Sequence, residues 1–194
     1  TTDSLQNLAA RQGPALAEVS SRPVKDWIFP VLNTSQNWYA EMLLKQLGRQ
    51  FGGAGSWKAG LEVERRFLID SMKVDSTQFA LRDGSGLSSS NLVSPKAFAT
   101  LLTWMRAHPR FEAFAAGLPQ SGQRGSLKSR FVGTPLEGKV RAKTGSISRV
   151  NTLAGYIELP GRTLTFAVEA NNHTLGSRVM IPQIDSLVVQ MGKK

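Results

Sequence analysis

Apolar and polar positions recur at helical spacing in the N-terminal part of the chain and alternate at strand spacing near its C-terminus. From Trp38 to Gln50, Tyr39, Met42, Leu43 and Leu47, followed by Phe51, fall on one helical face, and Gly52-Gly53 ends the helix. Ser56 can cap a second helix running to about Ser71, with Leu61, Glu64 and Leu68 marking its turns. Ser94-Pro95 is a cap followed by proline at the first helical position; Phe98, Leu101, Leu102 and Met105 line that helix up to His108-Pro109. Lys25 to Val31 reads as a helical turn stopped near Pro30, Thr77 to Arg82 as a short strand, and the Gly/Ser-rich LPQSGQRGSLKSR as a loop. Residues 139–146, 151–159 and 162–170 read as three strands, the last two joined at Pro160-Gly161. Ile184, Leu187, Val188 and Met191 define a closing helix beginning near Pro182, and residues 14–24 an extended leading segment. The pattern predicts an α/β chain of the α+β type, an antiparallel sheet with flanking helices.

Composition narrows the partners. At 194 residues and 41% apolar, the chain can bury a sizeable core. Lys and Arg number 24 against 14 Asp and Glu, a formal charge of +10 that favours anionic partners. The basic residues are scattered apart from a denser run of Arg124, Lys128, Arg130, Lys139, Arg141 and Lys143, which reads first as a solvated face. The absence of cysteine excludes disulfides and thiolate metal sites and suits an extracytoplasmic chain. No apolar run approaches the ~20 residues of a membrane-spanning helix. The chain opens at Thr1-Thr2-Asp3 with neither Met nor a signal peptide, so a processed or truncated product is expected.

Candidate chemistry is reduced by absences. The two histidines, His108 and His173, form no HxxxH pair, so no metal site is expected, and His108 before a proline reads as a helix cap. There is no Walker loop or GxGxxG, and no GxSxG. What remains is Lys143-Thr144-Gly145. Structurally it could be the solvent side of an edge strand running into a turn. Chemically, Lys-Thr-Gly on a strand is one of three elements of the active-serine acyl transferases, beside Ser-x-x-Lys and Ser-x-Asn. The Lys143 ammonium supplies fixed positive potential near a serine and a substrate carboxylate, and the Thr144 hydroxyl can bond that carboxylate. Gly145, without a Cβ, lets a peptide lie along the strand edge, and the Ser146 N–H can donate to an oxyanion. Ser-x-Asn occurs twice, as Ser35-Gln36-Asn37 directly before a strong helix and as Ser89-Ser90-Asn91 in a turn-rich stretch.

The ordered blocks SQNWYAEMLLKQLG, DGSGLSSSNLVSP, LPQSGQRGSLKSRF and KVRAKTGSISRVNTLAGYI resemble the low-molecular-mass class C penicillin-binding proteins, the D-alanyl-D-alanine carboxypeptidases/endopeptidases of bacterial cell walls. The resemblance covers about residues 13–191. It implies a β-lactamase/transpeptidase-like domain and the hydrolysis of peptidoglycan stem peptides ending in D-Ala-D-Ala through an acyl-enzyme, without metal or cofactor. It further implies binding of β-lactam antibiotics and a periplasmic or extracytoplasmic location. By the resemblance, Ser35 and Asn37 are the Ser-x-Asn. Ser35 relays a proton between base and leaving amine, and Asn37 bonds the substrate amide. Lys143 holds Ser35, Thr144 and Gly145 meet the ligand, and the Ser146 N–H forms half of an oxyanion hole. Asp83, opening DGSGLS, is read as a turn residue. Lys128 and Arg130 have two readings, a solvated loop, which is preferred, and the cleft rim.

The departure from the family is as informative. No serine in this chain has Lys three positions later, so the family's Ser-x-x-Lys nucleophile is absent. Residues 1–194 are therefore expected to be the C-terminal part of the transpeptidase-like domain. Residues 1–24 would lead in from an upstream inserted domain, and an upstream fragment carrying Ser-x-x-Lys would be the partner. A homo-oligomer remains open. The alternative is a non-catalytic binding fragment for anionic cell-wall polymer. A nucleic-acid binder is disfavoured, because no aromatic-rich RNA motif or recognition-helix pattern appears.

Overall fold

A computed structural model describes residues 17–193. The first part of the expected leading segment lies outside the described residues, and 17–23 form neither helix nor strand. Helix α1 (Val24–Leu32) is followed by α2 (Asn37–Phe51) and α3 (Trp57–Arg66). It continues through Pro30, where a stop was expected, and the Asn33 N–H closes its last turn on the Phe29 carbonyl. Ser56 caps α3 as expected, its Oγ accepting from the Ala59 N–H at 3.2 Å. Helices α2 and α3 cross at glycine, a Cβ on Gly48 falling 2.6 Å from the Gly60 nitrogen. Beyond Arg66 the helix widens into a π-turn, Phe67–Ser71, where Met72 N–H reaches back to the Phe67 carbonyl. The wider turn delivers Met72 and Val74 into a small core with Phe79 and Ala97.

The strand expected at 77–82 is shorter. A 3₁₀ turn, Ser76–Gln78, precedes β1 (Phe79–Ala80), which pairs antiparallel with β2 (Leu92–Val93), a strand the periodicity does not reveal. Helix α4 (Pro95–Arg106) starts where the cap signal places it, with Ser94 Oγ accepting from the Ala97 N–H at 3.1 Å. Helix α5 (Phe111–Gly117) is too short to show a repeat in sequence.

The main sheet is antiparallel in the order β3 (Val140–Ile147), β4 (Val150–Leu159), β5 (Arg162–Asn171), followed by α6 (Ser177–Met191). Helix α6 begins before Pro182, which lies inside it. Register assigns the two sheet faces. Val140, Ala142, Leu153, Ile157 and Phe166 share one face and pack with Ile184 and Val188 of α6 and with Leu127, Phe131 and Leu136. Tyr156 projects from the other face into Leu102 and Leu118, its hydroxyl donating to the Leu102 carbonyl at 2.8 Å. Burial pushes the Tyr156 hydroxyl up to about 12. The sheet is thus sandwiched between α6 and the helical half. No helix among the described residues is long and apolar enough to cross a membrane.

Candidate active site

The turn after α1 presents Ser35. The Thr34 Oγ1 donates to the Pro30 carbonyl at 2.9 Å and the Gln36 N–H to the same oxygen at 3.1 Å. Ser35 lies between them at φ 57, a left-handed backbone that costs a non-glycine residue of order 1 kcal/mol. The chain reverses there, leaving Ser35 exposed and Asn37 as the first residue of α2. Asn33, 5% exposed, latches this turn: its Nδ2 donates to the Leu118 carbonyl at 3.4 Å. Gly125, at φ 64, packs so tightly on Asn33 that a Cβ would lie 2.9 Å from the Asn33 carbonyl oxygen.

The expected loop LPQSGQRGSLKSR is a folded segment with buried Leu118, Ser121 and Leu127. Ser121 Oγ donates to the Leu136 carbonyl and accepts from the Val140 N–H. The Ala142 N–H donates to the Pro119 carbonyl at 3.1 Å, covering the outer edge of β3 up to that residue. Along a strand alternate N–H groups point the same way, so the N–H groups of Thr144 and Ser146 also face outward, where no strand pairs with β3 among the described residues.

At this open edge Lys143 Nζ donates to Ser35 Oγ at 2.8 Å, across 108 positions of sequence, and to the Thr144 carbonyl at 2.8 Å. Burial pushes the Lys143 ammonium below its ordinary value, so Lys143 is not the fully solvated residue that a cleft position suggests. Thr144 Oγ1 lies 2.8 Å from Ser126 Oγ. Gly145 faces Thr152 across the sheet, and a Cβ there would collide with the Thr152 hydroxyl. Ser146 Oγ accepts from Asn151 Nδ2 at 2.9 Å.

The structure therefore brings Ser35, Lys143, Thr144, Gly145 and Ser146 to one edge. Asn37 lines an adjoining open depression with Trp38, Glu41, Trp57, Arg82, Asp83, Ser85 and Leu87. The DGSGLSSSN turn beneath it is structural. Asp83 accepts from the N–H groups of Gly86 (2.7 Å) and Ser88 (2.6 Å) and from Asn91 Nδ2 (3.0 Å), so Ser89-Ser90-Asn91 serves this turn. Burial raises the Glu41 carboxyl, but hydrogen bonds from Ser85, Trp57 and Gly84 outweigh it and hold the group below its ordinary value. Arg130 is neither solvated nor at the cleft: it forks onto Asp185 of α6. Lys128 is exposed. His108 stacks on Trp104, and its Nδ1 accepts from the Arg110 N–H beyond the end of α4. Among the described residues, no cluster of three or more His, Cys, Asp or Glu could hold a metal ion. Sequence reasoning missed Ser126 and Asn33. Their signals are a hydroxyl directly after a left-handed glycine and an Asn at a helix end.

The profile of the D-Ala-D-Ala carboxypeptidase 3 (S13) family matches residues 3–191. A D-alanyl-D-alanine carboxypeptidase of Actinomadura sp. (strain R39) is 37% identical over 164 residues, covering 82% of this chain and 30% of that protein. A penicillin-sensitive carboxypeptidase A of Dictyostelium discoideum is 32% identical over 190 residues, covering 91% of this chain and 35% of that protein. Among solved structures, penicillin binding protein 4 of Haemophilus influenzae, complexed with a novel β-lactam, superimposes with a TM-score of 0.79 at 26% identity, covering 89% of this chain and 42% of that one. The chain thus spans about a third of the length of these curated relatives.

Proposed function

The chain belongs to the D-Ala-D-Ala carboxypeptidase 3 (S13) family, and from that premise we propose that it is the C-terminal part of the transpeptidase-like domain of a serine-type D-Ala-D-Ala carboxypeptidase/endopeptidase. The protein acts outside the cytoplasm on peptidoglycan stem peptides and is acylated by β-lactams. The nucleophile and its base belong to a Ser-x-x-Lys segment upstream of these 194 residues. The serine Oγ attacks the carbonyl of the penultimate D-Ala, and its proton passes to the lysine of Ser-x-x-Lys. The C–N bond breaks, and the leaving amine takes a proton from Ser35 Oγ.

Lys143 supports that transfer: its Nζ donates to Ser35 Oγ, which leaves the Ser35 proton free to point at the amine. The proton held by the lysine of Ser-x-x-Lys is relayed to Ser35 as Ser35 gives up its own, while the Lys143 ammonium holds the Ser35 oxygen. Asn37 bonds the substrate amide. Thr144, steadied by Ser126, meets the terminal carboxylate. Gly145 gives the peptide room along the edge, and the outward N–H of Ser146 joins the nucleophile's own N–H as an oxyanion hole. Water then hydrolyses the acyl-enzyme.

The observation that carries this reading is the 2.8 Å contact between Ser35 and Lys143 at the open edge of β3. The test is acylation by a fluorescent penicillin of the protein that includes Ser-x-x-Lys, in wild type and Ser35→Ala. Slower acylation and a slower release of D-Ala are expected in the variant. Wild-type rates in Ser35→Ala would reject the proton relay. Salt-sensitive binding to an anionic wall polymer without any acylation would favour the binding fragment instead.

A further inference from the structure

A hydrogen-bonded chain reaches the end of β3 from behind. Asn151 is 1% exposed, and its two amide atoms face different partners: Nδ2 lies 2.9 Å from Ser146 Oγ, and Oδ1 lies 3.1 Å from His173 Nε2. His173 Nδ1 lies 2.6 Å from the Leu175 carbonyl oxygen. A carbonyl only accepts, so Nδ1 carries a proton. That leaves two self-consistent states. With neutral His173, Nε2 is bare and must receive the Asn151 NH₂; the amide oxygen then faces Ser146 and takes its hydroxyl proton. With charged His173, Nε2–H donates to the Asn151 oxygen and the NH₂ donates to Ser146 Oγ. The Ser146 hydroxyl proton is then free to point away from the sheet, toward the exposed end of β3. One end of an amide donates and the other accepts, so the state of His173 fixes that of Ser146.

Ser146 is exposed and shares a sheet face with Thr144, two residues away. The charged side chains of the adjoining segments are Arg149 at the β3–β4 turn, whose Nη2 donates to the Asn172 carbonyl at 3.4 Å, and Arg178 in the first turn of α6. Lys143 and Glu169 project from the opposite face, by their registers with Ala154 and Thr152.

We propose that His173 is a positioning residue acting through Asn151, and that it sets whether the Ser146 hydroxyl is free to donate to the terminal carboxylate of a ligand lying beside Thr144. The proposal rests on the active-serine reading above. Charged His173 favours ligands with a free carboxylate, and neutral His173 removes that advantage.

The test uses the enzyme with its Ser-x-x-Lys segment. Acylation by a D-Ala-D-Ala peptide and by its C-terminal amide is compared across pH, in wild type and in His173→Gln. Nitrogen NMR follows the His173 ring and the Asn151 side-chain amide in the wild-type protein, which needs no substitution at buried Asn151. The wild-type preference for the free carboxylate should fall roughly tenfold as His173 loses its proton, the scale of one hydrogen bond to a charged group. The Asn151 amide should shift at the same midpoint, and His173→Gln should make the preference independent of pH. A preference that follows the same pH course in His173→Gln, or an Asn151 amide indifferent to His173 protonation, overturns the positioning role alone. An enzyme acylated by neither peptide nor β-lactam overturns the active-serine reading beneath it.

Discussion

Glu64 lies on the inner side of α3 with Oε2 buried and unpartnered, and its carboxyl is pushed up to about 7. Burial is the larger cause and the neighbouring Asp83 charge the second. A carboxyl that keeps its proton to a higher pH in the fold than when unfolded contributes stability fully below the unfolded value of 4.5, and that contribution is lost as pH rises through about 7. Glu64→Gln should therefore stabilise the protein at pH 8 by about 3 kcal/mol and leave it unchanged near pH 4, read by denaturant titration at both values. Lys143 is the second residue with a separable role. Lys143→Ala should slow penicillin acylation about 100-fold, ~2.7 kcal/mol, the scale of one preorganised donor. Its melting temperature should not fall at neutral pH, because burial already disfavours the ammonium. The Lys-Thr-Gly positions were legible in sequence because a strand fixes their spacing. Ser126 and Asn33 were not, because their partners, Thr144 and Leu118, are distant in sequence and the local signals, a hydroxyl after a glycine and an Asn at a helix end, name no partner.

Elements announced by local chemistry start where sequence places them. Ser56 and Ser94 cap α3 and α4 because a cap bond needs only three residues. Elements decided by packing were hidden. The two-residue β1–β2 pair and the π-turn exist to close the Met72, Val74, Phe79 and Ala97 core, and no periodicity encodes them. Pro182 marked the wrong start for α6, which has already begun at Ser177. The crossing of α2 and α3 is another contact no pattern shows: a Cβ on Gly60 would collide with the Leu44 carbonyl. Gly60→Ala should cost about 1–3 kcal/mol by forcing the helices apart. Because α2 begins at Asn37, the same variant should weaken peptide acylation, whereas Lys58→Ala on the exposed side of α3 should do neither.

On the scale of the molecule, the three-stranded meander was predicted within one residue per strand end, because alternation is strong where one sheet face is buried, and the closing helix was expected but with a later start. The arrangement of the helical half was not, since it depends on contacts between segments rather than on spacing within them. A polypeptide limited to residues 1–194 contains no Ser-x-x-Lys. Such a chain should give no covalent band with a fluorescent penicillin on denaturing electrophoresis, and a band should appear on the polypeptide carrying Ser-x-x-Lys once the two are combined.

The cover that Pro119 lays over β3 up to Ala142 also acts as a ruler. From Lys143 to Ile147 only about 13 Å of outer edge stays open, at ~3.3 Å per residue. An unfolded protein segment would run into Gln120 before it could form a long ladder, so this edge is a poor template for aggregation. A ligand must end or bend within a few residues, and tail-to-tail joined peptides of increasing length should stop gaining affinity once that span is filled.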